Sequence, residues 1–181
     1  MLNPAEDIVN VWLQEVCDHF VMNNIVVRKE TRLINGRNIG GGRGKEIDFL
    51  STNGRGDYYW VEVSVSPNPR LPSKAVRSKE AIDIVLKKFA SEKEAMIKKR
   101  FDIKTVNKWF VYSHKLFSKK LGEEKVYCHA LEKQGIKAIG FEKILREVFK
   151  KLDYMGYDTP RQYLFLLKKF GYKNSNQEEV S

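Results

Sequence analysis

Two acidic residues set inside neighbouring apolar runs constrain this chain more than any other feature. The first run, Lys45-Glu46-Ile47-Asp48-Phe49-Leu50, follows a glycine-rich segment, Gly40-Gly41-Gly42-Arg43-Gly44. The second is Tyr58-Tyr59-Trp60-Val61-Glu62-Val63-Ser64, and Asn53-Gly54-Arg55-Gly56-Asp57 lies between the two. Apolar and aromatic residues bounded by Gly and Asn predict two strands, over 45–51 and 58–65, joined by a turn. Side chains alternate between the two faces of a strand. Glu46 and Asp48 therefore share one face of the first strand with Gly44, and Lys45, Ile47 and Phe49 share the other. On the second strand Tyr58, Trp60, Glu62 and Ser64 share a face. Fourteen positions separate Asp48 from Glu62, room for the two carboxylates to meet across adjacent strands, with Glu46 and Ser64 nearby. A carboxylate on a surface that wants to be buried is costly without a partner. Two that converge suit a hard divalent cation, which prefers oxygen ligands.

The rest of the chain supplies an α/β frame. Pro4, Ile8, Val9, Trp12, Leu13, Val16 and Phe20 form a helical stripe from residue 4. Ile25-Val26-Val27 with Thr31 and Leu33 predicts a first strand, broken by Asn35-Gly36 and the glycine cluster. Pro67, Pro69 and Pro72 end the acidic strand at 65. Ile82, Val85, Leu86 and Phe89 mark a basic helix, and a more polar one extends through Lys98. Trp109–Tyr112 and Ile136–Gly140 predict further strands, and a helix runs from Glu142 to about Leu152. Thr159-Pro160 caps a last helix through Phe170. The order is helix, three strands, helix, strand, then helices and a further strand: a mixed central sheet flanked by helices, with additional C-terminal helices. No composition shift divides it, so residues 1–172 are expected as one domain and 173–181 as a polar tail.

The chain has 33 basic and 23 acidic residues among 181, a net charge of +10. That excess points first to nucleic acid as partner, with a merely solvated lysine surface as the alternative. No apolar run approaches the roughly 20 residues of a membrane-spanning helix, and the N-terminus lacks a basic-then-apolar leader, so a cytoplasmic location is expected. Cys17 and Cys128 lie far apart, and His19, His114 and His129 show no ligand spacing, which argues against zinc.

The order Glu-Ile-Asp, turn, Val-Glu-Val-Ser, helix resembles the PD-(D/E)XK nuclease superfamily, whose members share a restriction-endonuclease-like fold. The resemblance spans about residues 4–112. It implies a Mg²⁺ (or Mn²⁺) site formed by Asp48, Glu62 and the Val63 carbonyl, with Glu6 of the first helix reaching it. It further implies hydrolysis of DNA phosphodiester bonds, with RNA left open as substrate. The family carries a lysine two residues after the second acid, and this chain has Ser64 there. A serine can hydrogen-bond but supplies no cation. Lys79 is the candidate replacement, because in some members of the superfamily the lysine has moved to the helix after this strand; a solvated helix lysine is the alternative. Glu6 likewise reads either as a site carboxylate or as an ordinary first-turn acid.

Arg37 and Arg43 on the glycine-rich approach, with Lys45, Arg70, Lys74 and Arg77, are the expected phosphate contacts. The glycine cluster does not make a P-loop, since a strand follows it and no Gly-Lys-Ser/Thr is present; it reads as a close approach for a nucleic-acid backbone or as a mobile connection. Two rival readings stand beside the nuclease. One is a nucleic-acid-binding module on the same fold that has lost catalysis with its lysine. The other is a scaffold in which Asp48 and Glu62 pair with Arg43 or Arg77. A homodimer fits a nuclease that cuts both strands, although no interface is legible in the sequence.

Overall fold

The computed structural model describes residues 4–27, 32–34, 37–39, 45–65, 79–113, 117, 122–152 and 159–166. Helix α1 (Pro4–Glu15) is followed by β1 (Phe20–Val27), the short strands β2 (Arg32–Ile34) and β3 (Arg37–Ile39), and the acidic pair β4 (Lys45–Thr52) and β5 (Tyr58–Ser64). Helices α2 (Lys79–Lys88) and α3 (Ser91–Phe101) lead to β6 (Asn107–Tyr112). Then come α4 (Glu123–Glu132), β7 (Ile136–Gly140), α5 (Phe141–Lys151) and α6 (Thr159–Leu166). Five strands form one mixed sheet in the order β1-β4-β5-β6-β7, and β2 and β3 pair separately. β1, β4 and β5 are antiparallel neighbours, while β5, β6 and β7 run parallel. Among the described residues no helix is long and apolar enough to cross a membrane.

The sheet is buried on both faces, which is why its central strands are apolar at nearly every position. On one face Ile47, Leu50, Trp60 and Phe110 pack with Val85 and Phe89 near and beyond the end of α2, Ile97 of α3, and Tyr127 and Leu131 of α4. On the other, Phe49, Val61, Val63 and Val111 pack with Val9, Trp12 and Leu13 of α1, Ile144 and Val148 of α5, and Leu164 of α6. Arg161 fixes α6 to α1 through Glu15, at 2.6 and 3.0 Å, and Gln14, at 2.9 Å.

Several expectations need correction. Phe20 does not continue the stripe of α1 but opens β1, where it is 75% exposed. The helix ends at Glu15 because the chain reverses through Asp18 at φ 56°, with the His19 N–H returning to the Leu13 carbonyl at 2.9 Å. Leu33 belongs to the β2–β3 pair rather than to the first strand. The basic and polar helices are two elements, as expected: Ala90 is extended (φ −56°, ψ 137°) and α3 starts afresh after it. Thr31, Phe170 and the tail 173–181 lie outside the described residues.

The regular alternation expected along β4 also fails at its middle. Ile47 and Phe49 pack into opposite faces, and Ile47 shares its face with Leu50, three positions on. β1 switches at the same level: Val21 packs with the α1 side, and Ile25 and Val27 with the α2–α3 side. The residue between them, Asn24, has φ 49°, in the left-handed region that asparagine tolerates better than most residues. The β1–β4 register places Asn24 opposite Asp48, between the pairs Asn23↔Phe49 and Ile25↔Ile47. One residue's backbone conformation thus resets the facing of the strand that carries Asp48. Replacing Asn24 with Val should destabilise the fold by about 1–2 kcal/mol, whereas Gly should stay within about 0.5 kcal/mol of wild type. Urea midpoints measure both, and equal midpoints for Val and Asn would contradict this role.

Candidate active site

The β4–β5 ladder runs from Thr52↔Tyr58 to Phe49↔Val61 and pairs no further. One more step would set Asp48 opposite Glu62. Instead the Asp48 carboxylate takes over the role of the neighbouring strand: its Oδ2 accepts the Val63 backbone N–H at 2.7 Å. An N–H that loses its ladder partner must find another acceptor, and here the Asp48 carboxylate provides it. The charge on Asp48 acts on Glu62 and raises its proton affinity.

Glu62 is 2% exposed, in the middle of the sheet face covered by α2 and α3. Its Oε1 accepts the indole N–H of Trp60, two residues back on the same face, at 2.8 Å. Lys88, in the last turn of α2, brings Nζ to 3.4 Å from Glu62 Oε2. Lys93, in the first turn of α3, lies 3.7 Å from Oε1. Lys93 also donates to the Glu46 carbonyl at 3.0 Å and sits over the Trp60 ring, 5.7 Å from its centre. Burial pushes the Glu62 carboxyl up from its ordinary value, and Asp48 pushes it further; Lys88, Lys93 and the Trp60 hydrogen bond oppose both. A carboxylate this deep without counter-charge would be strongly destabilising, so the two ammonium groups are a condition of its presence there.

The other expected residues divide clearly. Ser64 is half-buried at the end of β5, level with Tyr112 on β6. Glu46 contributes its carbonyl, but its side chain is exposed rather than grouped with Asp48, a consequence of the facing switch. Glu6 sits half-buried in the first turn of α1, a helix that packs on the face opposite Glu62. Among the described residues no three of His, Cys, Asp and Glu gather as a metal-binding group, so Glu6 does not join Asp48 and Glu62. Lys79 opens α2, and Arg37 and Lys45 lie on β3 and β4, but these three side chains are outside the described ones. Arg43, Arg70, Lys74 and Arg77 lie outside the described residues altogether.

Lys93 was missed by sequence reasoning. Lys88 is legible only as one of the basic residues Arg70, Lys74, Arg77, Lys79, Lys87 and Lys88 that follow the acidic strand and are read as setting positive charge beside the two carboxylates. For Lys93 a signal exists: Ile97, four positions on and therefore on the same helix face, is fully buried. The run Lys98-Lys99-Arg100 forms the last turn of α3. Lys98 pairs with Glu94 at 2.6 Å, and Arg100 caps the Val26 carbonyl at 2.8 Å. His19 is a buried structural residue, hydrogen-bonded through Nδ1 to Ser51 Oγ at 3.1 Å, with its pKa lowered chiefly by burial. Cys17 and Cys128 are free, half-buried thiols.

No family model matches the chain, and no curated protein matches it. A solved structure of a protein of unknown function, AF1548, is similar, with 16% sequence identity and a TM-score of 0.42. The likeness covers 79% of this chain and 65% of that one.

Because the folded chain holds the Glu62 proton more tightly than the unfolded chain does, this group's contribution to stability is greatest below the unfolded value. It declines as pH rises through the interval up to the raised value. Carbon-detected NMR of the Glu62 carboxyl should show a midpoint above the ordinary glutamate range. Asp48→Asn should lower that midpoint and Lys93→Met should raise it. Shifts of the opposite sign would disprove the charge arrangement described.

Proposed function

We propose that this protein is a metal-dependent nuclease of the PD-(D/E)XK type, on a restriction-endonuclease-like fold, hydrolysing phosphodiester bonds in DNA. The observation that carries this reading is the meeting of Asp48 and Glu62 where β4 and β5 part, with two lysine ammonium groups delivered to the same point by α2 and α3. Those lysines supply the positive charge that Ser64 lacks. The replacement for the family's lysine is thus assigned to Lys88 and Lys93, whose ammonium groups reach Glu62; the Lys79 side chain lies outside the described ones.

The donor set suits Mg²⁺ or Mn²⁺ in kind. Asp48, Glu62 and the Val63 carbonyl offer only hard oxygen atoms, and the rise in Glu62's proton affinity caused by Asp48 reflects crowded negative charge that a cation relieves. Such an ion, when bound, lowers the pKa of a water and stabilises charge on a phosphate. The chain's own residues do the rest. Trp60 and Lys93 hold Glu62 in one orientation, the Val63 N–H orients Asp48, and the +10 charge draws in a polyanion.

A second reading, a nucleic-acid-binding module without catalysis, is favoured by two specific features. The family's lysine position holds Ser64, and both oxygens of Glu62 already have partners. Cleavage assays on supercoiled plasmid and on labelled single-stranded, duplex and branched DNA and on RNA separate the two, run with Mg²⁺, Mn²⁺ or EDTA. The nuclease reading predicts metal-dependent cutting that Asp48→Ala and Glu62→Ala each reduce by about 100-fold or more. Absence of cutting, with retained binding that weakens steeply between about 50 and 200 mM salt, would leave the binding module.

A further inference from the structure

Each carboxylate of the site is held by one oxygen and leaves the other less constrained. Asp48 Oδ2 is fixed by the Val63 N–H, and Glu62 Oε1 by Trp60 and Lys93. Among the described residues Asp48 Oδ1 has no hydrogen-bond partner. Glu62 Oε2 meets one group among them, the Lys88 ammonium.

The two lysines are not equivalent. The Lys93 side chain is 11% exposed and anchored by the Glu46 carbonyl and the Trp60 ring as well as by Glu62. The Lys88 side chain is 33% exposed, ends a helix, and among the described residues makes a single long contact of 3.4 Å. Its four-carbon stem lets the ammonium move several ångströms without disturbing the helix. A divalent cation on a carboxylate oxygen repels an ammonium held at the same oxygen, which weakens that oxygen's hold on the ammonium.

Resting on the metal-dependent reading above, we propose that Lys88 is a displaceable counter-ion. It neutralises Glu62 Oε2 until a divalent cation takes that oxygen, and then turns outward to where a substrate phosphate is reached. Lys93 stays in place and keeps Glu62 charged and oriented. Metal binding and the release of a phosphate-seeking cation are thereby a single event.

The test is Mn²⁺ affinity of the full chain, measured from free Mn²⁺ by electron paramagnetic resonance in the absence of DNA. Lys88→Met should bind Mn²⁺ about fivefold tighter than wild type, the equivalent of losing one exposed competing ion pair. Lys87→Met removes the same charge one residue away, from a side chain with no contact to Glu62, and should stay within about twofold of wild type. Lys88→Gln, which keeps a polar stem, repeats the comparison should Met shift the urea midpoint. Wild-type binding with no tightening in either Lys88 variant would overturn the displacement while leaving the metal site intact. Absence of Mn²⁺ binding in wild type and variants alike would overturn both.

Discussion

The structure depends on a carboxylate that the fold would exclude if it stood alone. Glu62 occupies the central region of the sheet, beneath two helices, where a charge survives only with close compensation. That compensation comes from both sides of the break between α2 and α3. Lys88 precedes Ala90 and Lys93 follows it, and the extended backbone at Ala90 points the two side chains at one spot. A continuous helix through this region would separate them by more than a turn. The helix break and the indole of Trp60 are thus both tied to one buried charge.

The second organising event lies on the neighbouring strand. Without the facing switch opposite Asn24, Ile47 would leave the α2–α3 core, and the first half of β4 would present different residues to it. With the switch, Ile47, Leu50 and Trp60 form one apolar floor while Asp48 stands at the point where the ladder opens. The site is therefore built by ending regular structure: a ladder that stops, a strand that resets and a helix that restarts.

What was legible in the sequence follows from this. The bounds of β4 and β5 and the helix-flanked mixed sheet could be read, because they rest on local hydrophobic pattern and turn chemistry. The facing of Glu46 could not, because one left-handed asparagine on another strand decides it and leaves no periodic trace. Lys93 escaped notice because a lysine among Glu92, Glu94 and Lys98 has the look of a solvated helix face, and its burial depends on a strand some thirty positions earlier. α4 went unpredicted as a separate element because its apolar positions, Tyr127 and Leu131, are too few to show a stripe. The expectation that Glu6 reaches the two strand carboxylates came from resemblance rather than from periodicity, and among the described residues the three do not cluster.

The central claim is that Asp48 and Glu62 together hold a divalent cation. Crystals of the protein grown with Mn²⁺, measured at a wavelength where manganese scatters anomalously, test it most directly. A peak within coordination distance of both carboxylates, with Lys88 withdrawn from Glu62 Oε2, is the predicted result. Density without a peak there at millimolar Mn²⁺, with Lys88 still on Glu62, would contradict it and leave the pair as a structural ion cluster.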